Sequence, residues 1–211
     1  MDPDEIRRDA ESPVTATRGD LEEVVETLSD AFAVEPDMKW FIRDDERRDA
    51  ARRSLFAQLI HGPGFRHGRI DRPARGGAAA VWMPFEWVRP DPLPRVLLEA
   101  LAMLPITGLS RAHRLVALRQ AMDRQHPMDR THAYLWFLGV APAAQGRGVG
   151  SALLRHANAR HDAAGLPAYL ETSTLPNVRL YARHGYRIIS ERRALKSAPV
   201  TWGMWREPAQ S

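Results

Sequence analysis

Residues 138–151 read LGVAPAAQGRGVGS, and this stretch carries the clearest structural signal in the 211-residue chain. Its apolar start ends a predicted strand, a glycine-rich turn follows, and a helical pattern begins at Gly150. Gly146, Gly148 and Gly150 allow backbone N–H groups to point at one anion, and the N-terminal end of the following helix adds a partial positive charge. The arrangement predicts a binding site for a pyrophosphate group.

The composition is that of an ordinary globular protein, with 44% hydrophobic and 27% charged residues. The chain has no cysteine, which excludes disulfides, thiolate metal ligands and a cysteine nucleophile. Its histidines lack metal-ligand spacing, so we expect no metal site. No apolar run approaches the roughly 18 residues of a membrane span, and the first residues lack a signal-peptide pattern. We therefore expect a cytoplasmic protein with no membrane partner.

The formal net charge is +4, which by itself would be compatible with nucleic-acid binding. The arginines are interleaved with acidic residues, however, as in residues 43–49, which read RDDERRD. That pattern indicates a solvated helix face with ion pairs, and it lacks the aromatic residues of a nucleic-acid groove. We expect no nucleic-acid partner.

The organisation of the chain predicts one mixed α/β domain. Residues 1–12 are polar and predict a disordered tail, and residues 13–211 predict a single domain. Early antiparallel strands are followed by strand–helix–strand units, which favours a mixed sheet. Residues 85–130 are rich in leucine and arginine and predict a helical insertion over one side of that sheet.

Four elements come together in the second half of the sequence. A strand over residues 134–140 leads into the glycine loop, a second buried strand ends near Glu171, and a short helix follows over residues 176–184. Asn177 and Tyr181 are four residues apart, so they share one face of that helix.

This set resembles the GCN5-related N-acetyltransferase (GNAT) superfamily over about residues 13–205. The pattern Gln145-x-x-Gly148-x-Gly150 matches the family's pyrophosphate signature for acetyl-CoA, and Asn177 and Tyr181 match its later Asn and Tyr. Within the superfamily, the chain looks like the puromycin N-acetyltransferase group. That likeness depends on the segments 79–82 (AAVW), 145–150 (QGRGVG), 166–173 (LPAYLETS) and 201–204 (TWGM).

The resemblance implies a fold and a cofactor. The fold is a central mixed, mostly antiparallel sheet of six to seven strands, flanked by helices, with a splayed strand pair at the CoA site. The implied cofactor is acetyl-CoA. The residues that would hold it are Leu138, Gly139, Val140, Gln145, Gly146, Arg147, Gly148, Val149, Gly150, Ser151, Asn177 and Tyr181.

The resemblance also implies a direct transfer without a covalent enzyme intermediate. The backbone N–H of Val140 would polarise the thioester carbonyl and stabilise the oxyanion, and Tyr181 would protonate the leaving thiolate. The acceptor amine must lose a proton, and our first candidate for that base is Glu171, with Glu35 and Asp30 as the others. A carboxylate at a strand end can equally be held by an arginine, so this assignment stays open.

The acceptor side is expected to contain aromatic residues. The candidates are Phe32, Trp40, Trp82, Phe85, Trp87 and Trp136, and each could instead serve as core packing. The predicted function is transfer of an acetyl group to a primary amine of a small molecule, such as an antibiotic or a metabolite, by a monomer or homodimer. Two alternatives remain: acetylation of a protein N-terminus or lysine, and a non-catalytic acyl-CoA sensor that keeps only the fold.

Overall fold

Seven strands form one sheet in the computed structural model, which describes residues 2–88 and 92–209. The spatial order is β1-β2-β3-β4-β5-β7-β6. Only the β4–β5 pair is parallel among the paired strands of the described residues. The expected mixed, mostly antiparallel sheet is therefore confirmed. The strands are β1 (Val14–Thr15), β2 (Arg69–Arg72), β3 (Ala78–Pro84), β4 (Ala133–Val140), β5 (Ala168–Thr172), β6 (Arg187–Arg192) and β7 (Thr201–Arg206).

Helices cover both faces of the sheet. On one face, the apolar side of α2 and α4 packs on β3 and β4, with Leu28 and Phe56 fully buried. On the other face, α9 buries Leu153 and Leu154 against the sheet. The helices are α1 (Pro3–Glu11), α2 (Leu21–Ala31), α3 (Pro36–Phe41), α4 (Arg48–Leu59), α5 (Phe65–His67), α6 (Leu93–Ala102), α7 (Leu104–Thr107), α8 (Ala112–Gln125), α9 (Val149–Ala163) and α10 (Leu175–Ala182).

The N-terminal segment corrects one expectation. Residues 1–12 were predicted to be disordered, yet Pro3–Glu11 forms α1. The side chain of Asp2 accepts a hydrogen bond from the Asp4 N–H and caps the helix. Ile6 and Ala10, four residues apart, are buried in the cluster that also contains α9. These two buried residues dock the helix on the domain. Its other side chains are at least partly exposed.

The predicted insertion over residues 85–130 contains α6, α7 and α8. Residues 89–91 of it lie outside the described part of the chain. Within the described residues, no helix combines the length and the apolar character that crossing a membrane requires.

The separation of β4 from β5 positions the site. The two strands pair only from Ala133 to Leu135 on β4. Strand β3 continues to pair with β4 as far as Val140. The β5-facing edge of β4 is consequently open over its last residues, as the fold expected from the sequence requires.

Candidate active site

The open edge of β4 presents backbone hydrogen-bonding groups. The N–H of Ala141 donates to the carbonyl of Gly77 beside β3 at 2.9 Å. Because the polar groups of successive residues point to opposite sides of a strand, the N–H groups of Leu138 and Val140 point away from β3 and towards the gap. These two residues were expected to bind the cofactor arm, and the gap is where such an arm would lie.

Gly139, expected from the resemblance to contact the cofactor, also has a packing role. A Cβ atom at this position would lie 2.7 Å from Cδ2 of Leu28 and 3.1 Å from Cβ of Ala31. Both residues belong to α2. Glycine at this position therefore lets α2 pack directly against β4 and supports the strand from behind.

The glycine loop continues from this edge into α9. Gln145 closes the turn, since its Nε2 donates to the Val140 carbonyl at 2.9 Å. Gly146 and Gly148 have φ values of 73° and 82°, a region that side-chain-bearing residues rarely occupy. Helix α9 starts at Val149, so its first N–H groups, which have no partner within the helix, face this loop. The loop fits an anionic diphosphate.

A cavity of about 840 Å³ lies beside the open edge. It extends from Leu138 on β4 to Asn177 and Tyr181 on α10, so it connects the expected donor site with these two helix residues. The remaining wall combines aliphatic, aromatic, acidic and basic side chains. Those used below are Phe32, Glu35, Asp37, Trp87, Trp136, Glu171 and Arg192.

The surroundings of Tyr181 favour the protonated form of its hydroxyl. Its side chain is buried, and its ring lies 5.9 Å from that of Tyr186 in an edge-to-face contact. Burial raises the pKa of the Tyr181 hydroxyl, and the nearby carboxylate of Glu35 raises that pKa further. The hydroxyl is therefore protonated at neutral pH and can act as a proton donor.

Glu171 is held by an arginine. Its Oε1 accepts from Nη1 of Arg192 at 2.7 Å and from the hydroxyl of Tyr169 at 3.1 Å. Both members of the ion pair are almost fully buried. Glu171 Oε2 is also buried and has no hydrogen-bond partner among the described residues. The arginine partner that the sequence left open is thus present, and Glu171 is oriented by it.

Glu35 joins the start of α3 to the end of β5. Its Oε2 accepts from the N–H of Asp37 at 2.8 Å and caps α3, and its Oε1 accepts from the Ser173 hydroxyl. Burial raises the pKa of Glu35, while these hydrogen bonds act in the opposite direction. The carboxyl group is therefore fixed at the edge of the cavity.

Asp37 is the residue that the sequence reasoning missed. Burial raises its pKa to about 7, and the charges of Glu35 and Glu171 add to that rise while Arg192 opposes it. Its Oδ2 accepts from the Thr201 hydroxyl at 3.4 Å. A carboxyl group that titrates near neutral pH beside a cavity is suited to proton transfer. The pattern Glu35-Pro36-Asp37, a capping acid before a helix-starting proline, could have indicated a helix here.

A histidine pair adds no charge to the cavity. His126 lines it, and its Nε2 lies 2.8 Å from Nε2 of His132. Burial and the neighbouring His132 lower the pKa of His126 to about 3. Its imidazole is consequently neutral at physiological pH and packs edge-on against Tyr134 and Tyr169.

The structure separates the remaining acceptor candidates into two groups. Phe32 and Trp136 line the cavity as expected. Trp40 does not, because it is buried among α3, α4 and α7, where its Nε1 donates to Ser197 at 3.3 Å. Trp82 is buried on the α9 face of the sheet against His161, and Asp30 is solvent-exposed. These three residues are therefore removed from the acceptor site.

Comparison with known proteins agrees with this geometry. Residues 112–188 match the family model described as Acetyltransferase (GNAT) domain. A structure from Corynebacterium glutamicum, described as histone acetyltransferase HPA2 and related acetyltransferase, is 28% identical with a TM-score of 0.69. The alignment covers 94% of this chain and 97% of that one. These matches support an N-acetyltransferase enzyme, with the likeness to the GNAT domain model confined to residues 112–188. The matched segment contains the glycine loop, Glu171 and Tyr181, whereas Asp37 lies outside it.

More distant structures share the fold of this acetyltransferase. The Drosophila melanogaster polyamine N-acetyltransferase, an enzyme that forms N-acetylagmatine, is 18% identical with a TM-score of 0.60, over 92% of this chain and 99% of that one. Arylalkylamine N-acetyltransferase 2 from Aedes aegypti is 12% identical with a TM-score of 0.62, over 93% of this chain and 98% of that one.

The raised pKa of Asp37 predicts a pH-dependent effect on stability. The carboxyl group titrates near 3.8 in the unfolded chain and near 7 in the folded one. The stability that the protonated form contributes is complete below the lower value and is lost as the pH rises through the higher one. Asn resembles the protonated carboxyl and does not titrate. We expect the melting temperature of Asp37→Asn, relative to wild type, to be higher at pH 8 than at pH 5.

Thermal unfolding of both proteins at the two pH values measures this difference. Asp30→Asn is the matched control, because Asp30 is exposed. An equal difference between Asp37→Asn and wild type at pH 5 and pH 8 would contradict the assignment.

Proposed function

We propose that this enzyme transfers the acetyl group of acetyl-CoA to a primary amine of a small molecule. The observation that carries the proposal is the continuity between the open edge of β4, Tyr181 and a carboxylate-lined cavity. Ligand cavities commonly measure about 300–1,000 Å³, and this one, at about 840 Å³, is within that range. The fold relatives named for polyamines and arylalkylamines support a small amine acceptor.

Acetyl-CoA, when bound, supplies an acetyl group activated as a thioester. The residues of the chain that would hold it are those at the gap and the loop. The N–H groups of Leu138 and Val140 face the gap. The loop glycines and the start of α9 offer N–H groups to the diphosphate. Asn177, on the same wall of the cavity as Tyr181, would hold the remaining part of the arm.

The transfer needs a hydrogen-bond donor at the thioester carbonyl and a proton for the departing sulfur. Val140 N–H would donate to the carbonyl oxygen as negative charge develops there. The Tyr181 hydroxyl would give its proton to the thiolate as the carbon–sulfur bond breaks. Because its raised pKa keeps it protonated in the resting enzyme, Tyr181 is suited to act as the acid.

The amine side of the reaction would depend on the carboxylates. We assign Asp37 as the group that accepts the proton of the amine, because its pKa of about 7 lets it exchange protons at physiological pH. Glu171, whose Oε1 is held by Arg192, would place negative charge at the cavity wall near the amine. Asp37 thereby replaces Glu171, our first candidate for the base, since Glu171 is already held in a buried ion pair with Arg192. Glu35 would support Asp37 by fixing the start of α3.

The residues of the cavity wall indicate which kind of small amine the enzyme would accept. Phe32, Trp87 and Trp136 add flat apolar surface to a cavity wall that also carries the carboxylates. This combination favours an amine attached to an apolar or aromatic body. A lysine or N-terminus of a folded protein is the second candidate, and the helices over the cavity disfavour it.

A panel of acceptors tests the proposed reaction. We expect thiol release from acetyl-CoA with small amines such as arylalkylamines, agmatine or puromycin, and less with a lysine peptide. Spectrophotometric detection of free CoA thiol measures the rate. Turnover with the peptide alone would favour a protein acceptor. Tight acetyl-CoA binding without turnover on any amine would favour the non-catalytic sensor.

Tyr181→Phe tests the acid. Removal of the hydroxyl leaves the thiolate without its proton donor, so we expect kcat to fall by roughly 100-fold. The ring and its contact with Tyr186 are retained, so the Kd for acetyl-CoA should change little. Steady-state kinetics and calorimetric titration give the two quantities. An unchanged kcat would exclude the assigned role.

Asp37→Asn tests the base through the pH profile. In the wild type, kcat/KM should rise as the pH passes about 7, because Asp37 then becomes ionised. The variant should be slow and should lack that inflection. Glu35→Gln is the matched control: loss of its charge lowers the pKa of Asp37, so the inflection should move to lower pH rather than disappear. A wild-type inflection that persists in Asp37→Asn would refute the assignment.

A further inference from the structure

Helix α1 lies against the glycine loop. Ile6 and Ala10 are buried in the same cluster as Ala144 and Val149, the residues on either side of the loop. The helix is thereby fixed in contact with the start of α9, where the loop N–H groups are presented. It lies outside the segment matched by the GNAT domain model.

Two arginine side chains lie at the junction of α1 and the glycine loop. Nε of Arg7, on α1, lies 3.8 Å from the position that a Cβ of Gly148 would occupy. Nη1 of Arg147, in the loop, lies 3.7 Å from Oδ1 of Asp4 on α1. The two arginine side chains are 51% and 56% exposed, respectively, so both remain accessible from solvent.

Both arginines pair with exposed acidic side chains on α1. Arg7 pairs with Glu11 one turn further along α1 at 3.3 Å, and Glu11 is 52% exposed. Asp4, the partner of Arg147, is 64% exposed. Exposed ion pairs of this kind contribute little to stability, whereas a guanidinium forms strong, often bidentate hydrogen bonds with a phosphate. A phosphate group could therefore replace Glu11 as the partner of Arg7 with little loss of free energy.

We infer that α1 forms one wall of the cofactor site and that Arg7 binds the diphosphate of CoA. The inference rests on the proposed binding of acetyl-CoA at the glycine loop. Arg7 would add a second side-chain charge beside Gly148, next to the backbone N–H groups and Arg147 of the loop. Without CoA, Glu11 pairs with the guanidinium of Arg7, and the diphosphate would replace it there. The helix predicted to be a disordered tail thus becomes part of the binding site.

Calorimetric titration of CoA tests this without any turnover. We expect Arg7→Ala to weaken CoA binding by about three- to tenfold, since one charge-assisted contact is lost. Arg8→Ala is the matched control: Arg8 is also exposed on α1, so the charge change is the same. It should bind CoA as the wild type does. Dephospho-CoA, which keeps the diphosphate but lacks the 3′-phosphate, should show the same loss with Arg7→Ala.

A second variant separates phosphate binding from a structural role. Glu11→Gln breaks the same ion pair as Arg7→Ala but keeps the guanidinium, so its affinity for CoA should equal or exceed that of the wild type. Equal binding by Arg7→Ala and wild type would overturn the inference. So would an equal loss in Arg8→Ala or Glu11→Gln, or a loss with CoA that is absent with dephospho-CoA. Wild-type protein that binds no CoA would overturn the proposed function as well.

Discussion

The opening between β4 and β5 is the constraint on which the site depends. A buried strand edge with unpaired backbone groups is costly, so a fold that keeps one needs support and a partner for it. Leu28 of α2 supports β4 from behind, at a position where only glycine fits. Gln145 satisfies the carbonyl of Val140, and the N–H groups beside it remain directed into the gap. An extended arm of a ligand could complete this edge as an added strand would.

The position of Arg192 determines which carboxyl group at this end of the cavity has an arginine partner. Arg192 neutralises Glu171 through a short buried ion pair. Glu35 and Asp37 share no such direct partner in the hydrogen bonds described above, and burial therefore favours their protonated forms. In the proposed mechanism, proton transfer near neutral pH would fall to Asp37, while the paired carboxylate would serve in binding. One arginine would thus give the acidic residues two different roles.

Much of the sheet and the donor side could be predicted from the sequence because their signals are local. The glycine loop needs positive φ angles within a few residues, and the apolar runs of β4 and β5 are continuous. Asp37 and Arg192 could not be predicted in this way, since their roles arise only when α3, β5 and β6 come together. Trp82 and Trp40 were misplaced for a related reason: an aromatic residue on a strand or helix does not reveal which layer it will face. Helix α1 has only two buried apolar residues, too few for a clear pattern.

The division between local and tertiary signals has a chemical origin. In the proposed function, the donor would be recognised through backbone N–H groups at a strand edge and at a glycine turn. Any sequence of the right backbone geometry can supply such groups, and here they lie within residues 112–188. In the proposed function, the acceptor would be recognised by side chains from residues 32–35, α3 and β6, which lie far apart in the chain. Acceptor specificity would then depend on how these segments come together over the sheet. A substitution at one of these side chains could alter the preferred amine without changing the backbone N–H groups of the strand edge and the glycine loop.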